Sequence, residues 1–160
     1  MSSRPQMHVL STPGPREILT ERVFDAPLER VWAAWTDPAL IVRWWGLRDT
    51  ETRVEELDLR PGGRWRFVER NQNGSEAAFR GVYREVRAPT RLVYTFEYEG
   101  WPGKVLVDTV ELEKSGGATR VLVHSLFHTT EERDGMIEAG MEKGLVQGYE
   151  ALDELFAEIA

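Results

Sequence analysis

Between Thr52 and His128, turn-forming residues interrupt the chain so often that no interval between them can hold a crossover helix. Pro61-Gly62-Gly63, the run from Asn71 to Ser75, Ala88-Pro89, the run from Gly100 to Gly103 and Ser115-Gly116-Gly117 mark the breaks. The stretches between them alternate polar with apolar residues, the pattern of half-buried strands. Parallel neighbours need a connection of a dozen or more residues, so these segments can pair only as an antiparallel meander. Residues 52–59, 64–70, 77–86, 91–98, 104–113 and 119–128 supply six strands, and the alternating run at 16–24 supplies a seventh ahead of them.

The alternation also assigns faces. Trp65 and Phe67 alternate with Arg64, Arg66 and Arg70, so arginines pointing outward place the aromatics inward. Phe79, Gly81 and Tyr83 share one face of their strand, as do Leu92, Tyr94, Phe96 and Tyr98 of the next. Two short helices are predicted after the first strand. Pro27 opens one that carries Val31, Trp32 and Trp35 on one side. Asp37 caps the other with Pro38 at its first position, and Gly46 closes it after Leu40, Ile41, Trp44 and Trp45. The remaining element is a helix over residues 130–160, about 45 Å long if unbroken. Thr129 and Glu132 form a capping box at its start. Only this helix is long enough to cover an aromatic sheet face, so an α+β fold follows, with a curved antiparallel sheet of about seven strands around it.

That helix contains an anomaly. Gly140, Gly144 and Gly148 recur every fourth residue, at a cost of roughly 3 kcal/mol relative to three alanines. At about 100° per residue they flank the apolar stripe of Ile137, Met141, Leu145, Leu152, Leu155 and Ile159. Bare positions beside a bulky stripe either admit another backbone closely or leave a hollow.

Composition limits the function classes. The 160 residues, 41% hydrophobic with six tryptophans, suit one domain over residues 16–160 behind a flexible tail at 1–15 in which His8 is inert. The net charge of −7 with scattered basic residues argues against a nucleic-acid or anionic-membrane surface. No cysteine leaves no disulfide, thiolate nucleophile or sulfur metal site. There is no apolar run for membrane insertion and no signal-peptide order, so the expectation is a soluble cytoplasmic protein. His124 and His128 share a strand face but stand about 13 Å apart, too far for one metal ion, and alternation with Arg120 turns them outward. No catalytic constellation, metal site or cofactor motif is present. Glu85 is the one acid placed to point inward, and a bulge or strand end explains it equally well. Asp58 and Arg60 pair at a strand end.

The runs VFDAPLERVWAAWTDP, RWWG, DLRPGGRWRF, FRGVYREV, PTRLVYTFE, TRVLVHSLF, GMEKG and YEALDELF resemble the START-like, or SRPBCC, superfamily. Within it they are similar to the branch named for the C-terminal domain of the activator of the heat-shock protein 90 ATPase. The resemblance spans residues 16–160 and implies the helix-grip fold, with a cavity for an apolar ligand between sheet and C-terminal helix. It favours the hollow as the reading of the glycines.

Three functions are open on this reading: binding of a small hydrophobic molecule such as a lipid, polyketide or aromatic metabolite; cyclase or hydrolase chemistry in the same pocket; or a co-chaperone role in stress response. The eukaryotic activators carry a separate N-terminal domain that does much of the stimulating, whereas only residues 1–15 precede the recognised region here. Binding is the leading expectation. The candidate ligand-binding residues are Trp45, Trp65, Phe67, Phe79, Tyr83, Tyr94, Phe96, Trp101, Met141, Gly144, Leu145 and Gly148. Trp45 with Trp44 also reads as a helix end plugging the core, and Trp101 as either a lid or an ordinary loop aromatic. Sheet edges and Trp101 offer surfaces for a homodimer.

Overall fold

A computed structural model describes residues 9–158. Its eight strands are β1 (Val9–Ser11), β2 (Glu17–Phe24), β3 (Glu51–Leu57), β4 (Arg64–Arg70), β5 (Glu76–Arg87), β6 (Arg91–Tyr98), β7 (Val105–Ser115) and β8 (Ala118–Leu126). They form one antiparallel sheet in the order β1-β2-β8-β7-β6-β5-β4-β3. The six-strand meander β3 to β8 follows the turn residues, and β2 closes onto β8 in register, Phe24 opposite Thr119 and Glu17 opposite Leu126. Register shifts at Val54/Glu56 and Tyr83/Glu85 help the sheet curl.

Helices α1 (Leu28–Thr36) and α2 (Pro38–Trp44) lie between β2 and β3 in the chain. They carry it from one side of the sheet to the opposite edge. Local chemistry sets their limits: Asp37 Oδ1 accepts the Ala39 amide at 3.0 Å, and Gly46, at φ +94°, turns the chain away after Trp45. The predicted capping box is also present, with the Glu132 amide donating to Thr129 Oγ1 and the Thr129 amide to the Glu132 carboxylate, each at 3.1 Å.

Two expectations are corrected. Val9–Ser11, placed in the flexible tail by sequence, pairs with Leu19–Glu21 as an eighth, edge strand. His8 lies outside the described residues. The single C-terminal helix is two, α3 (Thr130–Glu138) and α4 (Met141–Glu158), separated at Gly140, whose φ of +91° is a left-handed conformation that ends a helix. Gly140 is thus a terminator, and α3 buries none of its residues. Only α4, about 27 Å long, packs in the grip of the sheet. Ile137 is exposed rather than part of the buried stripe. The overall arrangement is the helix-grip fold.

Candidate functional site

The concave face of the sheet is sealed at one end and open at the other. At the sealed end α4 buries Tyr149, Leu152, Leu155 and Phe156, and the Phe24 ring meets those of Tyr149 and Phe156 edge-on at 5.1 and 5.8 Å. Arg22, inward on β2, joins this end. Its side chain is only 3% exposed and forms a two-pronged pair with Asp153 of α4 at 3.1 and 2.6 Å. It also donates to the Tyr149 carbonyl at 3.1 Å and lies over the Phe24 ring.

At the other end, Phe79, Tyr94, Phe96, Asp108 and Ser125 point to the same side as the buried Tyr83, Leu92, Val110 and Val121, yet are only half-buried. Along a cavity of about 100 Å³, counted as space for the centre of a water molecule, Tyr94, Phe96 and Asp108 are joined by Trp65, Phe67, Tyr83 and Leu92 from the sheet. Trp35 of α1, with Ile41, Trp44 and Trp45 at the end of α2, supplies the facing wall.

The walls are fixed by their own contacts. The Trp65 indole donates to the Thr95 carbonyl at 3.2 Å. It lies across Gly81, where a Cβ would stand 2.5 Å from its nitrogen and 1.8 Å from the Thr95 oxygen. Trp44 donates to the Ala34 carbonyl at 2.7 Å and meets the Trp35 ring at 4.7 Å, tilted by 49°. Trp45 meets Phe67 at 5.2 Å and Phe79 at 5.0 Å, both edge-on.

Asp108 brings a carboxylate into this aromatic enclosure. Its Oδ1 accepts the Ser125 hydroxyl at 2.5 Å from directly across the β7–β8 ladder. The Tyr94 hydroxyl stands beside the same carboxylate, close enough to stabilise its charged form. Burial pushes the Asp108 carboxyl up to about 6, with the Ser125 and Tyr94 hydroxyls and the His124 ring pulling it down. Burial also raises Tyr83, Tyr94 and Tyr149, the last to about 12, so these phenols stay neutral donors and acceptors near neutral pH.

Of the sequence-predicted residues, Trp45, Trp65, Phe67, Tyr83, Tyr94 and Phe96 line the cavity together. Phe79 backs it through its ring contacts with Trp45 and Phe96. Trp101, 51% exposed, lines a second recess of about 40 Å³ with Met136 and Glu132, and Phe96 borders both spaces. The α4 residues are elsewhere. Gly144 faces Leu47 Cδ2, 3.9 Å from where a Cβ would be, and a Cβ at Gly148 would stand 3.4 and 3.6 Å from the Trp44 carbonyl and ring. Leu145 packs on the main core, while Met141 joins Ile18, Leu106 and Phe127 in a second apolar cluster. The end of α2 comes between α4 and the hollow. Gly148 therefore admits the α2 end and Gly144 the turn that follows it, and neither lines this cavity.

Asp108, Ser125, Trp35, Ile41 and Leu92 were absent from the sequence candidates. Asp108 had a readable signal: Leu106, Asp108, Val110 and Leu112 share one parity of β7, so the acid sits in phase with an apolar face. Glu85 instead follows the bulge at Tyr83/Glu85 and pairs with Arg87 and Arg91 at 2.9 and 3.0 Å. His124 faces outward and bonds Glu17 at 2.6 Å, and Asp58 pairs with Arg60 at 2.8 Å at the surface. Among the described residues no group of three His, Asp or Glu is placed to hold a metal ion, and no helix is long and apolar enough to cross a membrane.

The fold recurs in solved structures. A protein from Rhodobacter sphaeroides superposes with a TM-score of 0.89 at 24% identity, over 95% of this chain and 99% of that one. A protein from Arthrobacter aurescens gives 0.86 at 27% identity, over 94% and 91%. The AHSA1 protein from Silicibacter pomeroyi gives 0.74 at 21%, over 90% and 99%. No curated protein matches the chain. The family model described as Activator of Hsp90 ATPase homolog 1-like protein matches residues 25–157, and with that span of the chain accounted for, the protein belongs to this family.

Proposed function

We propose that this protein takes up a small, largely apolar molecule carrying one polar group in the cavity between the sheet and α2. The observation that carries the reading is the half-buried set Tyr94, Phe96 and Asp108, mid-sheet side chains left uncovered at the open end of the concave face. Apolar walls with a few convergent polar groups are the usual composition of a small-molecule site. The walls supply affinity through buried ring area, and the Asp108–Ser125–Tyr94 group fixes the ligand's orientation. The cavity is small, so the occupant has about the bulk of a single ring, or it parts Phe96 to reach the recess under Trp101. Fold membership alone leaves the ligand open.

Calorimetric titration with toluene and p-cresol tests this. Saturable binding with a negative heat-capacity change is expected, and Phe96→Trp should abolish it by filling the space while thermal unfolding stays cooperative. Absence of saturable heat with both probes, or undiminished binding in Phe96→Trp, overturns the reading.

A further inference from the structure

Asp108 has no basic partner on the concave face. Three other acids withdrawn from water do: Asp153 faces Arg22, Glu99 faces Arg66 and Glu97 faces Arg80. Among the described residues no ion pair involves Asp108, and its hydrogen bond from Ser125 uses one lone pair of Oδ1. Asp108 lines the cavity, so its carboxylate is presented to whatever occupies that space.

The register explains the isolation. Arg22 is level with Val121 on β8, whereas Asp108 is level with Ser125. Four residues along a strand separate the two by about 13 Å. Arg22 is moreover committed to Asp153 and the Tyr149 carbonyl. The groups that do act on Asp108 are the hydroxyls of Ser125, Tyr94 and Tyr149, with His124 on the other side of the sheet.

A carboxylate in a low-dielectric site without a counter-ion is costly, and a cation entering the site removes that cost. The surrounding surfaces suit a cation as well. Trp65, with Tyr94 and Phe96 at ring separations of 5.8 Å, and Trp45 surround the space, and aromatic faces attract ammonium groups. The net charge of −7 adds a long-range field of the same sign.

Resting on the binding reading above, we infer that the ligand carries a positively charged nitrogen, a protonated amine or quaternary ammonium on a small apolar body, seated against Asp108 within the aromatic walls. The carboxylate acts as counter-ion and selects charge; the rings select bulk.

Benzylamine, benzyl alcohol and benzoate share a ring and differ in charge, so calorimetric titration of the full chain with each at pH 7.5 is the test. Benzylamine should bind about tenfold or more tightly than benzyl alcohol, and benzoate most weakly. In Asp108→Asn the ratio of amine to alcohol affinity should fall to about twofold. The wild-type comparison stands even if that variant does not fold. Equal binding of amine and alcohol, or preference for benzoate, overturns the charge assignment and leaves the pocket standing. Saturable binding of toluene or p-cresol with none of the three benzyl probes does the same. Silence from all five probes overturns both.

Discussion

An uncompensated carboxylate should cost the fold stability, and replacing it should return that stability in a pH window that the structure defines. Burial pushes Asp108 from its ordinary 3.8 to about 6. A shift of about two units at 1.36 kcal/mol each corresponds to ~3 kcal/mol, reduced to about 2 because the group retains some solvent on the cavity side. The sign follows from the folded-state pKa being the higher one. The folded protein holds the proton more tightly, so this contribution is fully present below pH 4 and is lost as pH rises through 6. Asp108→Asn mimics the protonated form and can still accept the Ser125 hydroxyl. The variant should therefore match wild type at pH 4 and exceed it by about 2 kcal/mol at pH 7, with the difference opening between pH 4 and 6 and flat above 7. Tyr83, Tyr94 and Tyr149 stay protonated throughout the window, and the outward Glu17–His124 pair is common to both proteins. Urea unfolding at 25 °C across pH 4–8 measures the difference directly. A difference independent of pH, or a variant less stable at pH 7, would refute the assignment of Asp108 as a buried, unneutralised acid.

The glycines that look equivalent in sequence should respond oppositely to alanine. Gly140→Ala forces a side chain into φ +91° and should cost about 1–2 kcal/mol, whereas Gly144→Ala meets nothing nearer than Leu47 Cδ2 at 3.9 Å and should gain up to about 1. Thermal unfolding midpoints moving the same way would contradict the break between α3 and α4. Asp153→Asn removes the carboxylate beside the buried Arg22 guanidinium; with the Tyr149 carbonyl contact retained and Asp153 28% exposed, about 2 kcal/mol should be lost, or roughly 4–8 °C. No change in midpoint would show that the pair is dispensable.

Much of this molecule was legible in the sequence because its strands are bounded by residues with one local meaning. Pro61-Gly62-Gly63 or Ser115-Gly116-Gly117 can scarcely be read except as turns, and the alternation of Trp65 and Phe67 with arginines fixes a face. Asp37, Gly46 and the Thr129–Glu132 box likewise act through neighbours in the chain. The helix break was hidden for the opposite reason. Gly140 has a local meaning as a C-terminal cap, but the apolar period can be drawn straight through it. Because α3 buries nothing, its own phase carried no information. Asp108 is equally legible, in phase with Leu106, Val110 and Leu112 of β7, whereas the pattern assigns the inward place to Glu85, which the bulge turns toward Arg87 and Arg91.

What no local pattern could supply is where α2 lies. Sequence alone offers the long C-terminal helix as the only cover for the concave face, and on that basis glycines in it become the wall of any hollow. Trp44 against Gly148, with the chain after it passing Gly144 at Leu47, shows the cover divided between two elements. The division explains why one face holds both a closed core and a cavity. α4 brings Asp153 to neutralise Arg22 and pairs its rings with Phe24, so its end of the sheet is closed chemically as well as sterically. α2 is short, turns its tryptophans to the hollow and its one base, Arg43, to Glu158 outside it, and so leaves Asp108 uncompensated. The hollow proposed as a site can persist because the sealed half offsets the cost of the open one. Stabilising changes around Arg22 and α4 should accordingly leave binding intact, whereas a base brought to Asp108 on α2 would stabilise the fold by occupying the place we assign to the ligand.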